Sequence, residues 1–323
     1  MEYRPLGRTG VQVSQLCLGT MSFGGDADEE AGARMYAAGR DAGINFIDTA
    51  DTYNRGRSER ALGRLMKGHR DELVVATKCY NPQGDDINAR GASRRHVTRA
   101  VEASLERLGT DRVDVLFLHQ FDDRTPVEEQ MRGLEDLVQS GKVLYPAASN
   151  FSAWETVDAL AVQQRHGWAR VQVIEPMYSL VKRQAEVEIL PMAQAHEISV
   201  IPYSPTGGGL LSGKYAGGGE NRGRLHTNKM YTARYGDEWM HEVAARFVGF
   251  CKDRGLHPVS AAVAWVGAHP AVTAPIIGGR NVEQLRASLD SVSIDMTPEL
   301  RAEISALSRT PPPATDRSEE MKG

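Results

Sequence analysis

The chain has 323 residues, 41% of them hydrophobic and 25% charged, with 38 basic against 42 acidic side chains. That mix supports a large folded core and argues against a disordered chain. The net charge of −4 lacks the basic excess of a dedicated nucleic-acid binder. The most apolar stretch, residues 259–277, is interrupted by His269 and Pro270, so it falls short of the ~20 apolar residues a membrane span needs. No charged-then-apolar leader pattern follows Met1, and a cytoplasmic protein is expected. Cys17, Cys79 and Cys251 are too few and too scattered for a disulfide framework or a zinc site and read as reduced thiols.

Residues 3–13, with Gly7 and Gly10 as turn residues, predict a short hairpin capping one end of the fold. Eight apolar, largely β-branched runs follow at 16–19, 44–47, 73–77, 113–119, 142–148, 171–175, 198–203 and 272–277. Near-continuous apolar runs of this kind suit parallel strands buried on both faces. Between them, helical periodicity predicts helices over 94–108, 127–139 and 155–164. Thr125-Pro126 ahead of Glu128 and Glu129, and Gly141 beyond Gln139, mark the start and stop of the second. Eight strand–helix units point to an α/β fold of the (β/α)₈ TIM-barrel type over residues 1–309. An open doubly wound sheet is the competitor, but it requires no eighth strand and usually opens on a glycine-rich turn. The glycine-rich stretch 206–237 lacks clear periodicity and reads as a long loop after the seventh strand. From Thr310 a polar tail with Pro311, Pro312 and Pro313 is expected to stay outside the core.

Chemistry-capable residues close successive strands, at the end where barrel enzymes build their sites. Strand two ends in Asp48, with Tyr53 five residues on, strand three in Lys78 and strand four in His119. Strand five runs into Ser149 and Asn150, strand six into Glu175, strand seven into Tyr203 and Ser204, and strand eight into Gly278, Gly279 and Arg280. Any one of these is explained by a strand re-entering water. Six consecutive strands ending this way argue for a site.

The segments FIDTADTYNRGRSE, VVATK, VDVLFLHQFD, GKVLYPAASNF, PYSPTGGGLLSGKY and APIIGGRNVEQL resemble, in order and at family spacing, the aldo-keto reductase superfamily. The resemblance runs from about residue 1 to residue 307. It implies a (β/α)₈ barrel that binds NADPH without a Rossmann domain and reduces aldehydes or ketones. It assigns Asp48, Tyr53, Lys78 and His119 to the family's catalytic tetrad. In that assignment Tyr53 donates a proton to the carbonyl oxygen as hydride arrives, Lys78 lowers its pKa, Asp48 holds Lys78, and His119 orients the substrate. An isolated tyrosine titrates near about pH 10, so such help is needed. The resemblance further implies that Gly19, Thr20, Met21 and Asp48 border the cofactor. It gives Ser149, Asn150 and Glu175 to the carboxamide, Tyr178 to stacking on the nicotinamide, and Tyr203, Ser204, Pro205, Gly207 and Leu210 to the pyrophosphate loop. Gly278, Arg280, Gln284 and Ser288 fall at the adenosine end, where Arg280 favours a 2′-phosphate and hence NADPH over NADH. Core packing is the rival reading of Tyr178.

Three positions depart from the family pattern. Glu175 stands where glutamine is usual, Pro146 falls inside strand five and predicts an irregular strand there, and Ser288 replaces a longer polar residue. Gly208–Lys214 mimics a P-loop, but Tyr215 follows where Ser or Thr would reach magnesium. Met21, Phe23, Phe121, Tyr231, Tyr235 and Trp239 are candidate walls of an apolar substrate pocket. Two other functions compete: an NADPH-binding regulatory subunit resembling potassium-channel β subunits, and a barrel lyase using Lys78 as a Schiff base. A small-molecule carbonyl is the expected partner, with neither nucleic acid, membrane nor metal; oligomeric state is not readable.

Overall fold

The computed structural model describes residues 1–215, 225, 228–317 and 319. The expected hairpin comes first, β1 (Tyr3–Pro5) pairing antiparallel with β2 (Gln12–Ser14). At its turn Gly7 adopts φ +53°, donates its N–H to Ser199 Oγ at 2.7 Å, and approaches Gln172 so closely that a Cβ would lie 2.7 Å from the carbonyl oxygen. Only glycine meets both demands.

Each of the eight apolar runs carries a strand: β3 (Cys17–Gly19), β4 (Phe46–Asp48), β5 (Val74–Cys79), β6 (Val113–Leu118), β7 (Val143–Ser149), β8 (Val173–Glu175), β9 (Ser199–Val200) and β10 (Ile276–Ile277). All are parallel, in the order β10-β3-β4-β5-β6-β7-β8-β9. The ends of that series meet. Val200 bridges Val272, the Thr273 N–H donates to the Val200 carbonyl at 2.8 Å, and the Ile276 N–H donates to the Pro202 carbonyl at 2.9 Å. The sheet is therefore a closed ring, which excludes the doubly wound alternative and leaves no bare edge.

Period-two alternation decides what fills the ring. Phe46, Ala76, Phe117, Ala147, Val173 and Ile201 are buried and pack in one inner cluster with Leu6 and Val13 of the hairpin, which plugs the N-terminal end. Two residues beyond each of these stand Asp48, Lys78, His119, Ser149, Glu175 and Tyr203. The alternation that buries the plug thus turns the candidate site residues inward one layer higher, at the C-terminal mouth.

Helices Arg94–Leu108 and Val127–Gln139 form where expected. The third runs Ala153–His166, starting earlier than its periodicity suggested because Ser152 and Glu155 form a capping box. Pro146 does not disturb β7, whose pairing with β6 runs in register through Leu116↔Pro146 to Leu118↔Ala148. Its carbonyl accepts from the Gln172 N–H at 3.0 Å. The missing N–H therefore faces the same side, ahead of Val173, where pairing with β8 begins. The stretch 206–237 is not all loop: it holds a turn at Leu210–Ser212 and a helix at Lys229–Tyr235. Residues 216–224 and 226–227 of that stretch, and 318 and 320–323 of the tail, lie outside the described residues. All three cysteines are buried and unpaired. Among the described residues no helix is long and apolar enough to cross a membrane.

Candidate active site

Lys78, at the top of β5, has no exposed surface. Its Nζ donates to the Asp48 carboxylate and to the Thr49 carbonyl at 3.0 Å, and it lies 3.2 Å from Glu175 Oε2. Two acids therefore share one ammonium away from water. Burial and the neighbouring Asp48 push the Glu175 carboxyl well above the usual carboxylate range, against the pull of Lys78. Glu175 thus keeps a proton where an exposed glutamate has lost it. Among the described residues its buried Oε2 has no aligned hydrogen bond.

Tyr53 opens the turn Tyr53–Gly56 just after β4. The next two residues, Asn54 and Arg55, are left-handed at φ +50° and +57°, a conformation that costs a non-glycine residue about 1 kcal/mol or more. The turn is held by Asn54, whose Nδ2 donates to the Met21 and Phe23 carbonyls at 2.8 and 2.9 Å. Lys78 Nζ lies 5.2 Å from the Tyr53 ring centroid, and the His119 ring meets it edge-on, with centroids 6.1 Å apart. Lys78 pulls the phenol's pKa down, as expected, yet the pKa is raised. Burial dominates, and the Asp48 carboxylate opposes the downward pull of Lys78. Tyr53 therefore rests as a neutral phenol, loaded with its proton. Burial and the Lys78 charge push the His119 imidazole down to about 3, so His119 is neutral near pH 7.

An arc of residues continues around the mouth. Thr20 donates both its N–H and its Oγ1 to the Asp48 carbonyl, at 2.9 and 3.0 Å. Gly19 packs so tightly that a Cβ would lie 2.7 Å from Ile276 Cγ2. At the end of β7, Ser149 Oγ donates to the Glu175 carbonyl at 3.2 Å, and exposed Asn150 is left-handed at φ +57°. Asn150 Nδ2 donates to the His119 carbonyl at 2.9 Å, and its Oδ1 accepts from the Tyr203 hydroxyl at 2.7 Å. Ser204 is also left-handed, and Gly207, Gly208 and Gly209 form a run of positive φ behind it. Pro205, Gly207 and Leu210 are buried, so Leu210 offers the mouth its backbone and not its side chain. Beyond exposed Gly278, Arg280 stands before the helix Val282–Leu289, which Asn281 caps. Arg280 Nε lies 3.4 Å from Asp26 Oδ2, and its N–H donates to Gln284 Oε1 at 3.0 Å.

Some expected site residues lie elsewhere. Tyr178 has no exposed surface; its hydroxyl donates to Glu186 at 2.6 Å and its ring packs 5.2 Å from Trp265. It is a core residue, and the aromatic at the mouth is the half-buried Tyr203. Ser288 is buried on the inner side of its helix, whereas Gln284 is exposed. Among the candidate pocket walls, Phe23, Tyr231 and Tyr235 are buried, Trp239 is half-buried beneath Arg309, Phe121 is half-buried, and Met21 is exposed. Two residues near the mouth carried no sequence signal. Trp154 is 65% exposed and meets Phe121 edge-on at 5.9 Å, and Asn81 Nδ2 lies 3.1 Å from His119 Nδ1.

A buried Lys78–Asp48 pair at the centre of a barrel mouth, ringed by strand-end polar groups, stands where barrel enzymes build their active sites. The chain belongs to the aldo/keto reductase family, whose model matches residues 15–309. It is 40% identical to an uncharacterized oxidoreductase of Bacillus subtilis over 93% of this chain and 94% of that one. It is 32% identical to a versiconal hemiacetal acetate reductase of Aspergillus parasiticus, over 93% and 94% of the two chains. It is also 32% identical to a probable voltage-gated potassium channel subunit beta of Oryza sativa subsp. japonica, over 98% and 99%.

Proposed function

We propose that the protein is an NADPH-dependent oxidoreductase that reduces aldehydes or ketones to alcohols, with Tyr53 as the general acid. The observation that carries this reading is the buried Lys78–Asp48 pair beneath the Tyr53 and His119 rings. The donor set around the mouth fits the cofactor. A run of positive-φ glycines follows β9, and a guanidinium at a capped helix start suits a phosphate. The exposed Asn150 amide at the end of β7 suits a carboxamide. A protonated Glu175 both donates and accepts, as glutamine does.

When bound, NADPH supplies the hydride that reaches the carbonyl carbon. His119, neutral, hydrogen-bonds the carbonyl oxygen and orients it. Tyr53 delivers its proton as negative charge develops on that oxygen, and the Lys78 ammonium stabilises the phenolate left behind. Asp48 keeps Lys78 charged and in place. Phe121, edge-on to Phe151 at 5.2 Å and to Trp154, makes an aromatic shelf two residues beyond His119. With Met21 exposed beside the Tyr53 turn, it favours an aromatic, small-molecule carbonyl. The experiment is NADPH oxidation, followed at the nicotinamide absorbance, with an aromatic aldehyde and with NADH in parallel.

A second reading, a cofactor-binding regulatory subunit, is favoured by the similarity to the rice channel subunit. It predicts NADPH binding without turnover of any aldehyde or ketone in the same assay.

A further inference from the structure

A neutral imidazole carries one N–H, and the nitrogen that holds it decides whether the ring can donate to a carbonyl oxygen or only accept. In His119, Nδ1 faces Asn81 Nδ2 at 3.1 Å, and among the described residues Nε2 makes no hydrogen bond. An amide nitrogen only donates, so Nδ1 presents its lone pair there and the ring proton sits on Nε2. We propose that Asn81 is a positioning residue that fixes His119 as the Nε2–H tautomer, the form able to donate to the substrate oxygen. The role of that N–H in catalysis rests on the carbonyl-reductase reading; the tautomer itself does not.

The surroundings hold the pair in register. Asn81 lies two residues beyond β5, and His119 directly follows β6, its N–H donating to the Cys79 carbonyl at 3.0 Å. The loop that leaves β5 at Asn81 is pinned where it returns. The Gly91 N–H donates to the Tyr80 carbonyl at 2.8 Å, and the Ala92 N–H donates to Asp122 Oδ2 at 2.9 Å. The same Asp122 carboxylate accepts from Thr125 Oγ1 at 2.8 Å and from the Arg124 N–H at 3.2 Å, three residues beyond His119. Gly91, at φ +85°, sits so close that a Cβ would lie 2.7 Å from Asp122 Oδ2. Asp122 thus ties together the loop that carries Asn81 and the segment that follows His119. The titratable groups facing the imidazole are Lys78 on β5 and Tyr53 on the turn after β4; Asn150, just after β7, is neutral and meets His119 at its carbonyl. Among the described residues no carboxylate pairs with Nδ1, so an uncharged amide sets the tautomer without drawing a second proton onto the ring.

The test uses the intact ¹⁵N-labelled protein. Long-range ¹H–¹⁵N correlation spectra, with the His119 ring assigned by its loss in His119→Gln, report which nitrogen is protonated. The wild type is expected to show a protonated Nε2 and a lone-pair Nδ1 from pH 6 to 8. Asn81→Asp places an acceptor at Nδ1. It is expected to move the proton there and to introduce an imidazole titration within that range, seen in the spectra and as a new limb in the pH–rate profile. Asn81→Ala is expected to mix the two tautomers and to lower kcat about 10- to 100-fold with NADPH affinity unchanged within about twofold. A wild-type ring protonated at Nδ1 would overturn the proposal, as would an Asn81→Ala variant with an unchanged tautomer ratio. If the wild-type tautomer is as expected but no carbonyl turns over, the positioning role stands and the reductase reading falls.

Discussion

Replacing Glu175 with Gln isolates the consequence of placing two carboxyls beside one ammonium. Glu175 is almost completely buried, 3.2 Å from Lys78 Nζ, and Asp48 already pairs with that nitrogen. Its folded-state pKa is raised, chiefly by burial and then by Asp48. A carboxyl raised in this way contributes stability that is fully present below its unfolded pKa of about 4.3 and is lost as pH rises toward the folded value. Over that window the folded protein keeps a proton that the unfolded chain has released. Each pH unit then costs the wild type about 1.4 kcal/mol relative to a variant without the acid. The stability of Glu175→Gln is therefore expected to gain on the wild type as pH rises from 5, with a slope of up to about 1.4 kcal/mol per unit. Urea unfolding of the cofactor-free proteins at pH 5, 6 and 7, with the difference plotted against pH, measures this directly. The slope carries the test, because any offset from lost contacts is common to all three points. A difference that stays flat would refute the claim that Glu175 is held protonated beside Lys78. The functional counterpart follows from the same charge. As pH rises through its titration, Glu175 becomes a carboxylate that favours the cationic, oxidised nicotinamide. The wild-type preference for NADPH over NADP⁺ should then fall with pH, while that of Glu175→Gln stays constant.

Three further outcomes are expected. Arg280→Ala weakens NADPH binding about 10- to 100-fold and leaves NADH within about twofold, measured by fluorescence titration, because the guanidinium has no phosphate to hold in NADH. Trp154→Ala raises KM for an aromatic aldehyde about 2- to 10-fold, with little change for a small aliphatic one, since only a ring gains from the exposed indole. Arg107→Ala leaves the fully buried Glu59 carboxylate without its partner at 2.5 Å. It should cost about 3–5 kcal/mol in urea unfolding, with kcat of the remaining folded enzyme little changed.

What was legible in the sequence is what periodicity and strand ends encode. Parallel strands buried on both faces must be apolar throughout, so the eight runs were visible, and a period of two carries Phe46 to Asp48, Ala76 to Lys78 and Phe117 to His119. Tyr178 and Tyr203 were not separable, because a tyrosine two residues from a mouth and one facing a helix layer share the same chemistry. Only burial, and the Glu186 and Trp265 contacts of Tyr178, tells them apart. The helix Lys229–Tyr235 is two turns long amid glycines, too short to register as a period. Pro146 looked disruptive because sequence does not say which neighbour its missing N–H faces. Asn81 reaches the mouth along a loop and Trp154 from the first turn of its helix, placements that no local pattern records. The sign of the Tyr53 shift was missed for a related reason. Lys78 was visible as a neighbour, but the burial that outweighs it comes from separate strands and turns brought together.

The most direct measurement is transfer from NADPH deuterated at the transferable C4 position to an aromatic aldehyde, with the alcohol examined by mass spectrometry and the rate compared in Tyr53→Phe. The account predicts one deuterium on the alcohol carbon. It also predicts turnover lowered about 10²–10⁴-fold in the variant, with NADPH affinity retained. An alcohol without deuterium, or a Tyr53→Phe enzyme turning over at the wild-type rate, would contradict it.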